Sequence, residues 1–313
     1  MIGVIVALSV ALGGLKVWSD RRLRRFANAF PPVGEFLTVE GTRLHYLSKG
    51  AGTSVVLIHG SDGVLQEFVL SILDRVAQAH RAVAFDRPGH GYSGRPEGEP
   101  LTLSLNARLL HGALLQLGMR KPVLIGHSYG GSVALQYALD YPDDVAALVL
   151  LAPAAYAQRS FGCPLFSLPE VPLLGPLLMR TVLVPVGHLV AAAVTGRAFA
   201  PDPVPEQYRK AMEAYSLRPD QFRAFAEEIR RLTEGLDAMR SRYDQIRLPV
   251  TIVAGDADRV TELAKHGRTL HRAIPQSTLV VFSGTGHQVH HKHAEAILDA
   301  VQDVVGRAGI EMP

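Results

Sequence analysis

The pentapeptide at residues 126–130 is the part of this sequence with the clearest chemical meaning. It reads Gly-His-Ser-Tyr-Gly and places Ser128 in a G-x-S-x-G motif. An apolar run typical of a buried strand (122–125) precedes it, and a helical pattern follows. On such a turn the glycines leave room for a strained backbone that holds the serine hydroxyl clear of the sheet. We therefore predict that Ser128 is a nucleophile; a plain glycine–serine loop is the alternative.

A serine hydroxyl becomes a strong nucleophile when a base removes its proton and an acid orients that base. Both are expected at the ends of later strands, the acid before the histidine. One apolar run ends just before Asp256 and Asp258, and another (277–282) leads through a glycine turn to His287. The acid could also follow the earlier apolar run at 145–151, but the segment after that run (152–163) holds no Asp or Glu. The order serine, aspartate, histidine is therefore present.

Three further histidines follow closely after His287: His290, His291 and His293. A metal cluster in this segment is one interpretation, but the segment has no Cys or carboxylate ligand, and a lysine lies among the histidines. We favour a polar start to the carboxy-terminal helix for all three. Because His287 alone follows the strand and the glycine turn, it is the predicted base, and no metal is expected.

Strand-like and helix-like segments alternate from Glu35 onwards. The predicted strands are a pair joined at Glu40-Gly41 (35–46), then 54–58, 81–85, 122–125, 145–151, 250–253 and 277–282. The predicted helices between them include 103–117, 132–139 and 260–273. Strand, helix and strand in repetition predict a mostly parallel sheet covered by helices on both faces.

The alternation breaks between about 154 and 246, an interval too long for an ordinary connection. Its first half is rich in Pro, Leu and Val, and its second half (205–244) is charged and helical. We predict a mainly helical cap at 154–246, inserted into a core formed by 35–153 and 247–309. A second membrane span is not expected because Pro172, Pro176, Arg180 and Pro185 interrupt the apolar run.

The amino terminus carries no charged side chain through residue 15, and a basic segment (21–25) follows. A helix extended to Trp18 would be roughly 27 Å long, close to a bilayer core of about 30 Å. Positive charge after the apolar run favours an uncleaved membrane anchor at 1–25, with the body cytoplasmic. The alternatives are export after signal-peptide cleavage and a buried or interfacial helix.

Composition excludes several classes of protein. The 313 residues are 48% hydrophobic and 19% charged, as expected of a globular chain. A net charge of +3, without a basic run interleaved with aromatics, argues against nucleic-acid binding. The single cysteine, Cys163, excludes an intramolecular disulfide framework and a Cys-rich zinc site.

Five motifs in one order resemble the α/β-hydrolase superfamily, and within it the capped branch of esterases, lipases and haloperoxidase-like enzymes. They are His59-Gly60, 86–91 (Asp-Arg-Pro-Gly-His-Gly), 126–131, Gly255-Asp-Ala-Asp258 and Gly284-Thr-Gly-His287. The resemblance spans about 35–307 apart from the cap. It implies an α/β-hydrolase fold, a mostly parallel sheet with helices on both faces and an inserted cap.

The same resemblance implies roles for individual residues. Ser128, Asp258 and His287 would form the catalytic triad, with Asp256 only a turn residue. The backbone N–H groups of Ser61 and Tyr129 would form the oxyanion hole. The turn at 87–91 is mainly structural in such proteins, so its His90 is expected to be a loop histidine.

The function expected from these residues is hydrolysis of carboxylic esters, with lipophilic acyl groups, through an acyl-enzyme and without a cofactor. A small-molecule ester and a membrane are the expected partners; nucleic acid is not, and the oligomeric state stays open. Perhydrolase or haloperoxidase-like activity and carbon–carbon bond hydrolysis can use the same triad. A non-catalytic ligand-binding protein on the same fold is a further alternative. Haloalkane dehalogenases and epoxide hydrolases need an aspartate where this chain has Ser128.

Overall fold

An eight-stranded sheet organises the part of the protein that the structure describes. The computed structural model describes residues 2–158 and 164–310. The strands are β1 (Glu35–Val39), β2 (Thr42–Lys49), β3 (Ser54–Ile58), β4 (Arg81–Phe85), β5 (Val123–His127), β6 (Ala147–Leu151), β7 (Val250–Gly255) and β8 (Thr278–Phe282). Their order is β1-β2-β4-β3-β5-β6-β7-β8. The pairs β1–β2 and β2–β4 are antiparallel, and all other pairs are parallel. This confirms the predicted antiparallel start and mostly parallel sheet.

Helices cover both faces of the sheet, as predicted. They are α1 (Ile2–Ala29), α2 (Gln66–Val69), α3 (Leu73–Val76), α4 (Leu103–Gln116), α5 (Tyr129–Asp140), α6 (Leu174–Thr181), α7 (Leu183–Phe199), α8 (Glu206–Ser216), α9 (Pro219–Arg240), α10 (Gly267–Ala273), α11 (Val289–Lys292) and α12 (Ala294–Arg307). Successive strand residues point to opposite faces. In β3, Val56 and Ile58 pack in the core that contains α4 and α5, whereas Val55 and Leu57 pack with α3 and α12.

One predicted helix is wrong in its amino-terminal half. The helix expected over 260–273 begins at Gly267, as α10. The backbone N–H groups of Val260 and Thr261 donate to the Asp258 carboxylate at 2.7 and 3.0 Å, and so form a side-chain-stabilised turn instead. The helix predicted over 132–139 begins earlier, at Tyr129. Cys163 lies outside the described residues.

The insertion, which we define as residues 154–246, lies between β6 and β7. Its described part holds a short 3₁₀ segment (Pro164–Glu170) and helices α6 to α9. Helix α9 packs against α4 of the core and against the 3₁₀ segment. Helices α6 and α7, together with the residue just before α6, expose a set of large apolar side chains, which we call the apolar face: Leu173, Leu174, Leu177, Val186, Leu189, Val190 and Val194.

Helix α1 extends further than the predicted anchor and includes the basic segment. It is 28 residues long, which corresponds to about 42 Å. By length and composition it could cross a membrane, and a signal sequence would pass the same test. Its second half packs against α6 and α8, where Arg22 Nη2 donates to Glu213 Oε1 at 2.6 Å. The basic segment is therefore in contact with the folded body.

Candidate active site

Ser128 lies on a strained turn between β5 and α5. Its φ and ψ are 52° and −114°, a backbone region that residues with a side chain rarely adopt. The neighbouring chain is too close for side chains at two positions. A Cβ on Gly126 would lie 2.4 Å from the carbonyl oxygen of Gly130, and a Cβ on Gly130 would lie 2.0 Å from that of Ile58. The two glycines therefore allow the sharp turn that presents the serine.

Asp258 and His287 face each other because they follow two adjacent parallel strands, β7 and β8. His287 Nδ1 and Asp258 Oδ2 are 2.8 Å apart, and both side chains are buried. Thr261 Oγ1 donates to the same oxygen at 2.8 Å. Burial opposes ionisation, but the facing His287 and the donors from Val260 and Thr261 lower the pKa of Asp258 to about 2. An ionised carboxylate thus orients the imidazole.

Asp256, the competing carboxylate, has a different environment. It is exposed, and it accepts hydrogen bonds from Gly284 N at 2.7 Å and Ser283 Oγ at 3.0 Å. These bonds join the turn after β7 to the turn after β8. Asp256 is therefore a turn residue, as expected, and Asp258 is the carboxylate that meets His287.

Four of the five predicted site residues line one cavity of about 380 Å³, and Asp258 contacts the fourth of them, His287. Its floor contains Ser61, Ser128, Tyr129 and His287. Its walls come from the insertion and are mainly apolar: Phe166, Val194, Met212, Phe225, Ile229 and Leu232. The structure thus brings together residues that are up to 226 positions apart in the sequence, between Ser61 and His287.

The loop at residues 60–63, which we call the oxyanion loop, is held from behind by Arg87. The carbonyl oxygens of Gly60 and Ser61 accept hydrogen bonds from Arg87 Nη2 at 2.9 and 3.1 Å. Because a trans peptide is planar, the N–H of Ser61 points away from the Gly60 carbonyl, on the side opposite to Arg87. Tyr129 is the first residue of α5, so its N–H has no partner within that helix.

Two partners of this loop were not predicted as such. His90 is buried, and its Nε2 lies 2.9 Å from the carbonyl oxygen of Ser61. This loop histidine, from the turn at 87–91, therefore helps to hold the oxyanion loop in place. Arg87 forms a buried ion pair with Glu228 of α9. Glu228 lies 141 residues from Arg87, in a segment whose sequence carries no motif, so nothing local signals the pair.

His290 contradicts its sequence prediction. Instead of a polar helix start it is fully buried, with its ring 5.4 Å from that of Phe68 and 4.7 Å from that of His127. Glu67, His127 and His290 are three side chains with possible metal-ligand atoms within 4.8 Å of one another. His127 Nδ1 and Glu67 Oε1 already share a hydrogen bond of 2.8 Å. A bound divalent ion would have to replace that proton. His290 Nε2 lies 3.7 Å from Glu67 Oε1, too far for a hydrogen bond, so the group is a hydrogen-bonded pair with a third buried imidazole beside it.

The insertion contacts the backbone that carries His287. The N–H of His287 donates to the carbonyl oxygen of Ala198, in α7, at 2.9 Å. A Cβ on Gly286 would lie only 2.3 Å from the carbonyl oxygen of Ala200. The backbone at the end of α7 is therefore packed directly against the backbone of Gly286 and His287.

Comparison with known proteins decides the family. A family model described as alpha/beta hydrolase fold matches residues 53–294. The chain belongs to the α/β hydrolase fold family. This match covers β3 through the start of α12, and so includes all three residues of the proposed triad together with the insertion.

Several members of this family align with most of the chain, in sequence or in structure. An uncharacterised protein of Mycobacterium tuberculosis is 28% identical over 90% of this chain and 84% of its own length. A 2-hydroxy-6-oxo-6-phenylhexa-2,4-dienoate hydrolase of Burkholderia cepacia is 26% identical over 81% and 88%. The crystal structure of an α/β hydrolase fold protein from Burkholderia ambifaria has a TM-score of 0.69 at 25% identity, and the alignment covers 86% of this chain and 97% of that one. These relatives identify the chain as a member of a hydrolase family.

Proposed function

We propose that this hydrolase cleaves carboxylic esters through an acyl-enzyme intermediate. The observation that carries the proposal is the Asp258–His287 pair, joined at 2.8 Å, beside a cavity whose floor holds Ser128 on a strained strand-to-helix turn. A nucleophile, a base and an acid that orients the base are the groups that acyl transfer requires.

Each residue has a definite part in the proposed reaction. Ser128 Oγ bonds to the ester carbonyl carbon while His287 takes the hydroxyl proton. The backbone N–H groups of Ser61 and Tyr129 stabilise the oxyanion, and His287 then gives its proton to the leaving alcohol. Water repeats the sequence on the acyl-enzyme, which releases the acid. Asp258 keeps the Nδ1 proton of His287 in place throughout, and the reaction needs no cofactor.

The cavity supports a lipophilic acyl group as substrate. Its walls consist mainly of apolar side chains of the insertion, such as Phe225, Ile229 and Leu232. An acyl chain that fills such a cavity loses contact with water, which favours binding by about 0.8 kcal/mol per methylene. We therefore propose that 154–246 acts as a cap that selects acyl esters by chain length.

Position at a membrane fits the same proposal. Helix α1 is apolar through residue 15 and packs on α6, whose exposed leucines belong to the apolar face. A membrane-anchored α1 would bring that face close to the bilayer, and lipophilic esters are concentrated there. We propose an anchored enzyme with its body in the cytoplasm; export after cleavage of the segment is the alternative.

Carbon–carbon bond hydrolysis is the second candidate for this site. It is favoured by the similarity to the dienoate hydrolase of Burkholderia cepacia, which aligns over 88% of its length. Perhydrolase activity would use the same triad, and peroxide with acetate would reveal it. A non-catalytic binding protein would leave Ser128 unreactive.

The decisive experiment is a series of p-nitrophenyl esters of increasing acyl length, together with a fluorophosphonate probe. We expect covalent labelling at Ser128, higher kcat/KM for medium and long acyl chains than for acetate, and no activity or labelling in Ser128→Ala. Ser241→Ala, which alters an exposed serine at the end of α9, is the matched control and should behave as wild type. Retained hydrolysis in Ser128→Ala, or an unlabelled wild-type protein, would refute the proposal. A sharp preference for acetate would refute the lipophilic substrate.

A further inference from the structure

A buried pair, Glu67 and His127, lies directly behind the catalytic groups, and the reaction described above does not use it. His127 immediately precedes Ser128, and its ring centroid is 4.7 Å from that of His287. Both members of the pair are almost fully buried. Ionisable groups in such positions are rare unless they are paired, so the contacts of this pair call for an explanation.

Three parts of the site converge on this pair. Glu67 Oε1 contacts His127 Nδ1 at 2.8 Å, next to the nucleophile. Glu67 Oε2 accepts from the N–H of Gly60 at 3.4 Å, in the oxyanion loop. The other ring nitrogen, His127 Nε2, is 3.2 Å from the carbonyl oxygen of His287. One residue pair thus contacts the oxyanion loop, the nucleophile turn and the base.

The oxyanion loop is also packed tightly against the pair. A Cβ placed on Gly60 would lie 3.2 Å from His127 Nδ1 and 3.6 Å from Glu67 Oε2. Substitution of a side chain at this position would therefore displace the pair or the loop. Movement of Glu67 or His127 would in turn move the backbone that leads to Ser61.

The hydrogen-bond partners determine the protonation of the ring. A carbonyl oxygen and an ionised carboxylate oxygen can only accept. With Glu67 ionised, each ring nitrogen of His127 therefore carries a proton and satisfies both contacts. Resting on the proposed function, we propose that His127 is held by Glu67 as a buried imidazolium, and that this pair positions the oxyanion loop, the nucleophile turn and the base relative to one another. Both reach the cavity wall, and they act as positioning residues because their hydrogen bonds go to the oxyanion loop, to each other and to the backbone of the base.

The electrostatic surroundings agree with this charge. Burial alone would lower the pKa of His127, but the facing Glu67 carboxylate raises it above the ordinary value of 6.5. Burial holds the pKa of His59 and of His290 well below that value, so these neighbours are neutral. The titratable groups that face His127 from the elements packed around it are His59, Asp62, Glu67, Asp258, His287, His290 and His291.

The charge also has a consequence for the reaction. The positive ring adjoins Ser128 in the chain, and its Nδ1 lies beside the oxyanion loop, 3.2 Å from the position of a Cβ on Gly60. Fixed charges of this kind stabilise a transition state because they need no reorganisation when the reaction occurs. Loss of the charge should therefore lower kcat more than it raises KM.

The test combines ring-nitrogen NMR with kinetics on the full-length protein. With ¹⁵N-labelled histidine at pH 7.5, we expect the signal assigned to His127 to show two protonated ring nitrogens. It should be absent in His127→Gln and singly protonated in Glu67→Gln. The second variant should lose roughly 10- to 100-fold in kcat, with KM changed less than about threefold, as expected for a weakened oxyanion site.

His45→Gln is the matched control. His45 is also buried and paired with a carboxylate, Asp86, at 2.7 Å, but it is not among the residues that line the catalytic cavity. This variant should lose stability and keep its kcat within about twofold, which separates positioning from a general loss of folding. An equal loss of kcat in both variants would overturn the inference.

A single protonated nitrogen on His127 in the wild type, or an unchanged kcat in Glu67→Gln, would also overturn it. A zinc ion retained stoichiometrically at Glu67 and His127 would overturn it as well, because the metal would replace the Nδ1 proton. Failure of the proposed function has a different signature, a wild-type protein inactive toward every ester and unlabelled by fluorophosphonate. The ring-nitrogen spectrum then still decides the charge on His127.

Discussion

The floor and the walls of the cavity are built on different physical principles. The floor consists of turns at the ends of adjacent strands, where Asp258, His287 and the oxyanion loop are each fixed by short hydrogen bonds. The walls consist of insertion helices whose cavity-lining side chains are mainly apolar, and these side chains contact one another and the substrate space through packing. Hydrogen bonds specify direction, whereas apolar contacts tolerate substitution if volume is kept. We therefore expect floor variants to change the rate of the chemical step and wall variants to change substrate preference.

The largest effect should follow from a change of the carboxylate in the floor. Asp258→Asn keeps the size of the side chain but can no longer hold His287 in the required tautomer, so kcat should fall by roughly 10⁴-fold. Esterase kinetics at pH 7.5 would measure this, and Asp256→Asn is the control, since its partners are turn donors. A comparable loss in Asp256→Asn would show that the two carboxylates have been assigned wrongly.

The same carboxylate makes the stability of the floor depend on pH. Asp258 has a folded-state pKa of about 2, below the ordinary value of 3.8. Its stabilising contribution is therefore present above pH 4 and is lost as the pH falls toward 2, by on the order of 2 kcal/mol. Urea unfolding of the wild type and of Asp258→Asn between pH 5 and pH 2 should converge at the acid end. Parallel curves would contradict this expectation.

The next largest effect should come from the pair that joins floor and wall. Arg87→Gln leaves the buried Glu228 carboxylate without its cation, which should cost about 3–5 kcal/mol of unfolding free energy. It also removes the donors to Gly60 and Ser61, so kcat should fall as well.

Urea denaturation measures the stability term of this prediction. Arg108→Gln, which breaks exposed ion pairs with Glu40 and Glu99, is the control and should cost less than about 1 kcal/mol. Equal losses in the two variants would mean that the buried pair does not stabilise the loop.

A smaller and more selective effect is expected in the wall. Phe225→Ala removes a cavity-lining ring that packs against Phe166 at a centroid distance of 5.1 Å. Burial of a Phe side chain is worth about 1.5–3 kcal/mol, so kcat/KM for long acyl esters should fall roughly 10- to 100-fold while acetate is little affected. Phe222→Ala, a neighbour in α9 that is not among the cavity-lining residues, is the control. An equal decrease in kcat/KM for esters of all chain lengths would mean that Phe225 stabilises the fold and does not select the substrate.

The smallest effect is expected on the apolar face. Leu189 is 80% exposed, and Leu189→Glu should leave hydrolysis of soluble esters unchanged. On esters embedded in phospholipid vesicles we expect a decrease of about threefold, because the apolar area that contacts lipid is smaller. Leu115→Glu, at a 58% exposed leucine of α4, is the matched control. If both variants behave alike on vesicles, the apolar face does not contact the membrane.

The floor could be predicted from the sequence to a large extent, because each of its groups is encoded within a few residues. The glycines at 126 and 130, the aspartates after β7 and the glycine turn before His287 are local patterns. They present Ser128 and His287 to one cavity, and Asp258 meets His287 from behind. The sheet followed from its apolar runs. The start of α10 was mispredicted because the Asp258 carboxylate captures the next backbone donors, which a helical pattern does not show.

The walls and the second layer behind the floor were not predictable in the same way. The Arg87–Glu228 and Glu67–His127 pairs join segments 141 and 60 residues apart, and neither member of a pair carries a local signal for its partner. His290 resembled a surface residue because it lies among polar neighbours in the sequence. In the structure, α11 directs its side chain into the interior, where it is fully buried. Long-range burial of polar groups is decided by tertiary packing.

The backbone contact between His287 and Ala198 limits how this enzyme can be engineered. Exchange of the insertion between related proteins is an attractive route to new specificities, because the segment is continuous in sequence. In this chain such a graft would also replace the acceptor of the His287 N–H and the carbonyl against which Gly286 is packed. A transplant that ends before residue 198 keeps both contacts, whereas one that includes the end of α7 must reproduce them. The boundary of the exchangeable module therefore lies inside a helix, and not at a loop.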